Sequence, residues 1–200
     1  MKTLKVKIKG EKHIFDVPQN WQEISLKVAC DLMDFANGNN SKGTSNFALL
    51  AVLLELPLEV IESIQADSFD EHVLDNLTFL NDVKGWEKIV NPDCPDTFAI
   101  EDTFFPIKKD IGMCTLGQKE EAIQALFNPE YGTYEKALEI LNIYVNNKMW
   151  DEGLFRQCID VLPAYQLLPI ANFFLKQLVN TKKFGMIRYQ LIQQAMNMQS

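Results

Sequence analysis

The chain has 200 residues, 47 % hydrophobic and 23 % charged, with 19 Lys and Arg against 27 Asp and Glu. That composition argues against disorder over most of the length, and a net charge of −8 argues against a surface that binds nucleic acid throughout. The most apolar run, Phe47 to Leu54, is far too short to span a bilayer, and 200 residues suffice for one substantial core or for a smaller domain with an appended helical unit.

Met1 leads straight into an alternating strand pattern, which predicts no signal peptide. Leu4, Val6 and Ile8 share one face of that strand, Lys9-Gly10-Glu11-Lys12 can turn, and His13 to Val17 can return, so the opening predicts a β-hairpin. Pro18 stops the second strand. Ser25 then stands as N-cap before Leu26, Ala29, Leu32, Met33 and Ala36 at helical spacing. Asn37 to Ser45 is a loop by composition. Helix is expected again from Asn46 to Leu56, from Pro57 to Ile64, and from a cap at Asp70 to Leu80.

From Lys84 to Met113 the helical pattern breaks. Gly85, Pro92, Pro95, Pro106 and Gly112 punctuate short β-like pieces, Thr97 to Ile100 and Thr103 to Phe105, which are expected to join the N-terminal hairpin in one small sheet. Thr115-Leu116-Gly117-Gln118 fits a capping box opening a helix to Phe127. Further helices are expected over 134–147, 152–162, from Pro163 to Asn180, and from Lys183 onward, with Pro163 and Pro169 dividing or kinking the region.

Local signatures of chemistry are weak. Gly38 and Gly43 have the spacing of a phosphate loop, but Thr44 stands where the lysine belongs and the segment follows a helix, so it reads as a surface loop. His13 and His72, the two histidines, sit in no nucleophile signature. Asp93, Cys94 and Asp96 lie in a Pro-rich turn without zinc or calcium ligand spacing. Glu120 and Glu121 are adjacent, point to different sides of a helix, and suit its first turns electrostatically. Cys30, Cys94, Cys114 and Cys158 lie far apart with no Cys-x-x-Cys pair, which predicts reduced thiols in a reducing cytoplasm. The reading therefore assigns no catalytic, cofactor-binding or metal-ligating residue.

The charge distribution is more specific. The last acidic residue is Asp160; residues 161–200 hold Lys176, Lys182, Lys183 and Arg188 and no acid, a net +4 against −12 for residues 1–160. Neutral amides and apolar residues dominate this segment. Lys176, Lys182, Lys183 and Arg188, with Phe184, Ile187, Leu191 and Met196, form a candidate protein–protein interface, since charge depletion and Met enrichment suit an interface core. The competing expectation is that most of the apolar residues pack on their own domain. Four basic groups without clustered arginine make nucleic-acid binding a weaker alternative.

Two motifs carry a family resemblance. The stretch Asp16-Val17-Pro18-Gln19-Asn20-Trp21-Gln22-Glu23-Ile24-Ser25-Leu26 resembles the opening of small structural and assembly proteins of tailed bacteriophages, notably crAss-like phages. Asp110-Ile111-Gly112-Met113-Cys114-Thr115-Leu116-Gly117-Gln118 is similar to a second helix start in such proteins. Together the motifs cover about a tenth of the chain, and both are local strand-end and helix-cap devices. The resemblance implies a virion neck or tail component, such as a ring subunit between portal and tail, made in the host cytoplasm, or else a tail-assembly chaperone. It transfers no functional residue.

The sequence thus predicts an α+β protein, mostly helical, with an N-terminal hairpin and a helical C-terminal half. Residues 1–115 are expected to form the α+β part and 116–200 a helical region ending in the acid-free segment. The leading functional expectation is a non-enzymatic homo-oligomeric ring subunit contacting other neck and tail proteins and no membrane. A tail-assembly chaperone and a small enzyme with a site built from distant residues are the alternatives.

Overall fold

The computed structural model describes residues 2–38, 45–69, 76–90 and 93–179. Strands β1 (Lys2–Ile8) and β2 (Glu11–Val17) pair antiparallel, Lys2 opposite Val17 and Ile8 opposite Glu11. Lys9 and Gly10, both with positive φ (51° and 87°), make the two-residue turn, whose twist matches that of paired strands. Leu4 and Val6 are buried as the alternation predicts. The free edge of β1 is closed by the 64–68 turn: Gln65 N–H donates to the Lys7 carbonyl at 2.9 Å, and Lys7 N–H donates to Ser68 Oγ at 2.8 Å.

Helix α1 (Leu26–Ala36) begins at Ser25, whose hydroxyl accepts from Val28 N–H at 3.2 Å. Helix α2 (Asn46–Leu53) begins at Ser45 in the same way and is buried on most sides; α3 (Leu58–Glu62) follows Pro57, which sits at the N-cap. Residues 76–81 form a 3₁₀ turn in place of the end of the helix expected to run to Leu80, and the proposed cap Asp70 lies outside the described residues.

Two expectations are corrected in the next stretch. Val83–Val90 is a helix, α4, where the pattern reads as broken. Gly85 belongs to it for a steric reason: a Cβ there would stand 2.8 Å from Trp21 Cδ1 and 2.4 Å from Asp82 Oδ2. Strands β3 (Thr97–Ile100) and β4 (Thr103–Pro106) do form, but they pair with each other, Thr97 opposite Pro106, and not with the first hairpin. The edge of β1 is already occupied, and the second hairpin is held from elsewhere: Phe105 packs edge-on against Trp150 (5.1 Å between ring centres) and Phe155 (5.8 Å) of the helical half.

Helix α5 (Leu116–Phe127) opens with the capping box, complete in both directions between Thr115 and Gln118. Helix α6 (Thr133–Leu141) follows Gly132, which brings no side-chain cap of its own. Asp34, at the end of α1, supplies one: Thr133 N–H donates to Oδ2 at 3.3 Å and Thr133 Oγ1 donates to Oδ1 at 2.6 Å. The expected helix over 134–147 is not α-helical to its end. Asn142–Asn146 is a π turn, closed by Asn147 N–H on the Asn142 carbonyl at 3.0 Å, after which Asn147 and Lys148 turn left-handed. Helix α7 (Glu152–Val161) starts from the Asp151 cap.

The last described helix, α8 (164–179), passes through Pro169 without interruption. Its start is tied to the start of α1, with Ala164 N–H donating to the Ile24 carbonyl at 2.8 Å. The protein is therefore α+β and mostly helical, with a helical C-terminal half, and its main hydrophobic cluster draws residues from Leu4 to Leu178.

Tyr144 is a weak point in this core. Its ring stacks on Phe174 at 4.5 Å and 9°, but its hydroxyl is buried without a partner among the described residues, and burial pushes its pKa up to about 12. A buried hydroxyl left unpaired costs about 1–3 kcal/mol. Tyr144→Phe is therefore expected to raise stability by about 1 kcal/mol in a urea titration; a lower midpoint at unchanged slope would sink the assignment. The sign with pH follows. The phenol ionises first in the unfolded chain, so its share of stability is intact below about pH 10 and lost as pH rises through the folded value. Tyr144→Phe removes that share of the alkaline loss.

Candidate interaction surfaces

Of the eight residues read as an interface, the structure describes Lys176, exposed near the end of α8. Lys182, Lys183, Phe184, Ile187, Arg188, Leu191 and Met196 lie outside the described residues. The opposite face of α8, with Leu167, Leu168, Ala171, Phe174 and Leu178, is buried in the core. Up to Leu178, then, the apolar positions of the acid-free segment largely stabilise their own domain, as the competing expectation had it.

Among the described residues the weak chemical signatures form no joint site. His13 stacks on Phe15 within the first hairpin, whereas His72 lies outside the described residues. Gly38 has a positive φ and Gly43 is not described. Asp96 pairs with Lys109 at 2.8 Å, which holds its carboxyl below the usual range. Cys30 and Cys94 are buried free thiols, and burial pushes both upward; Cys114 and Cys158 are half-buried and also free. Among the described residues no three His, Cys, Asp or Glu side chains gather in a metal-binding group.

Two grooves do bring side chains together. The first is aromatic. Trp21, at the centre of the Asp16 to Leu26 stretch, donates through Nε1 to the Asp82 carbonyl at 3.2 Å. Its ring lies 4.9 Å from that of Trp86 and 5.1 Å, edge-on, from that of Phe79. With Leu32, Met33, Phe35 and Leu49 the tryptophans line an open cavity of about 440 Å³. Packing of the 3₁₀ turn Trp21–Glu23 on α4 places Trp21 beside Trp86, and Gly85 makes room for the approach.

The second groove, about 540 Å³, runs between α5, α6, the π turn and the start of α7. Carboxamides make up most of its polar lining, beside Glu121, Glu139, Glu152 and Lys148. Gln118, beyond closing the capping box, donates through Nε2 to the Ile143 carbonyl (3.2 Å) and to Asn147 Oδ1 (2.8 Å). Asn146, 2 % exposed, donates to Asn142 Oδ1 (2.9 Å) and to the Trp150 carbonyl (3.1 Å), and accepts from Trp150 N–H (2.9 Å). Arg156 stands between two carboxylates, bonding Glu139 and, at 2.7 Å, Glu152. The sequence reading missed this groove. A signal was present in the spacing of Gln118, Glu121, Gln124 and Ala125 on one helical face, and in Asn142 and Asn146 four residues apart.

Apolar side chains also stand in solvent. On α7, Leu154 and Val161 (82 % exposed) lie seven residues apart, followed by Tyr165 on α8; Leu116 is 86 % exposed at the start of α5. No helix among the described residues is long and apolar enough to cross a membrane.

These features define a mostly helical α+β protein with open grooves on its surface. Comparison with protein-family models, with curated proteins and with solved structures found no match.

Proposed function

We propose that this chain is a non-enzymatic structural protein of a tailed bacteriophage, made in the host cytoplasm and carried in the virion. In this reading it assembles with copies of itself into a ring at the junction of portal and tail. The observation that carries the reading is the separation of charge, −12 over residues 1–160 against +4 over the acid-free residues 161–200. One subunit's basic end docks on the acidic body of the next, a head-to-tail contact that closes into a ring when the rotation permits. Electrostatics sets orientation and encounter rate, and the apolar residues Phe184, Ile187, Leu191 and Met196 contribute most of the affinity.

The aromatic groove favours a second reading, a tail-assembly chaperone that holds an apolar segment of a client against Trp21 and Trp86. Presence or absence of the chain in purified virions separates the two.

The test of the first reading is the solution mass at moderate and high salt, measured for the full chain and for a chain ending at Leu178. Leu178 is the last buried residue among those described, so the truncation keeps every described core residue. The full chain is expected to form a discrete oligomer that weakens with salt, and the truncated one a folded monomer. Intact oligomers from the truncated chain would overturn docking through the C-terminal segment.

A further inference from the structure

We propose that the amide-lined groove binds a neutral saccharide. The inference does not depend on the ring or the chaperone reading.

Several hydrogen-bonding groups in the groove are already used. Asn142 spends its oxygen on Asn146, Asn147 spends its oxygen on Gln118, and Asn128 spends its oxygen on the Glu130 N–H at 3.0 Å. In each case the NH₂ group has no acceptor among the described residues. Gln124 and Glu121, both exposed on the α5 wall, make no hydrogen bond among the described residues either. The groove therefore offers three oriented amide donors, one complete carboxamide and one free carboxylate.

Orientation is not left to chance. The Asn146 amide is fixed by the N–H and C=O of Trp150, and Asn146 in turn fixes Asn142. The Gln118 amide is fixed by Thr115 N–H and in turn fixes Asn147. Each chain of amides ends on the backbone, which leaves the donors preorganised and lowers the entropy lost on binding.

Charge selects the ligand class. Glu139 and Glu152 share the Arg156 guanidinium, and with Glu121 and Lys148 also in the lining the groove and its Arg156 together carry a net charge of −1. A phosphate or nucleotide would meet three carboxylates against Lys148 and an Arg156 already engaged by two of them, a net negative wall that disfavours an anion. A sugar's adjacent hydroxyls can accept from the amides while donating to Glu121, and its C–H faces can lie on the ring of Tyr131. The cavity falls within the size range of small-molecule sites, about 300–1,000 Å³. Hydrolysis is not part of the proposal: both carboxylates near Arg156 are held in ion pairs, and neither is free to act as a general acid.

The test is titration of the full chain with maltotriose, cellotriose and chitotriose in turn, followed by Trp fluorescence and by the side-chain amide signals in a ¹⁵N-resolved spectrum. Saturable binding of at least one sugar is expected, with shifts at the Gln124 and Asn142 amides. Gln124→Ala combined with Tyr131→Ala is expected to weaken binding at least tenfold with an unchanged thermal midpoint. A charge reversal, Glu121→Lys, gives an independent variant at an exposed position with the same expected loss. No saturable binding of any of the three sugars would overturn the proposal, and so would binding that survives these substitutions unchanged.

Discussion

Phe105→Ala is expected to lower the stability of the protein by about 3–5 kcal/mol, read as a shift in urea midpoint at unchanged slope. The side chain is fully buried, and its ring meets Phe98 at 6.2 Å, Trp150 at 5.1 Å and Phe155 at 5.8 Å. Truncation removes the transfer energy of a benzyl group and leaves a cavity whose walls belong to different elements, so local collapse cannot fill it. Two edge-on aromatic contacts go as well, each worth about 0.5–1.5 kcal/mol beyond area. The neighbouring Phe104, opposite in the pleat and 68 % exposed, is the control; Phe104→Ala is expected to stay within about 0.5 kcal/mol of wild type. Equal costs at the two positions would mean that the hairpin does not present this face to α7. A large cost at Phe105 alone identifies the ring as the attachment of β3–β4 to the helical half.

The contrast between these hairpins also shows what a sequence can and cannot convey. The first was legible because its information is local: alternation at Leu4, Val6 and Ile8, and a turn within Lys9 to Lys12, which the structure narrows to Lys9-Gly10 with Glu11 and Lys12 already in β2. The same holds for α1 and α5, where Ser25 and the Thr115–Gln118 box announce the first turn, whereas the Ser45 cap of α2 reads in the sequence only as the end of a loop. The second hairpin was legible as two strands but not as a separate sheet. What separates it is the 64–68 turn closing β1 and the rings around Phe105, contacts between residues dozens of positions apart. Helix α4 was hidden by Gly85, which reads as a breaker although it is a point of close approach to Trp21. Helix α6 takes its cap from Asp34, about a hundred residues earlier, so no local signal marks its start. Most of the candidate interface read from the C-terminal segment lies outside the described residues, and there its chemistry rests on charge and composition alone.

Asn146 couples the fold to the groove, and its removal is the sharper test of both. Replacing it by alanine leaves the N–H and C=O of Trp150 without their side-chain partner and frees the Asn142 amide. At about 1–3 kcal/mol for each part-buried group left unpaired, Asn146→Ala is expected to cost about 3 kcal/mol in chemical denaturation. Aspartate is no substitute. It can still accept from Trp150 N–H, but it sets a carboxylate oxygen against the Trp150 carbonyl and Asn142 Oδ1, so Asn146→Asp is expected to cost at least as much. The two readouts separate the roles of the residue. If the π turn orients the donors, Asn146→Ala abolishes saccharide binding under conditions where the chain is still folded, because Asn142 and Trp150 lose their alignment together. If stability falls while the sugar affinity stays at the wild-type value, the turn is a structural joint, and the binding surface must lie on α5, where Gln124 and Glu121 stand clear of the network.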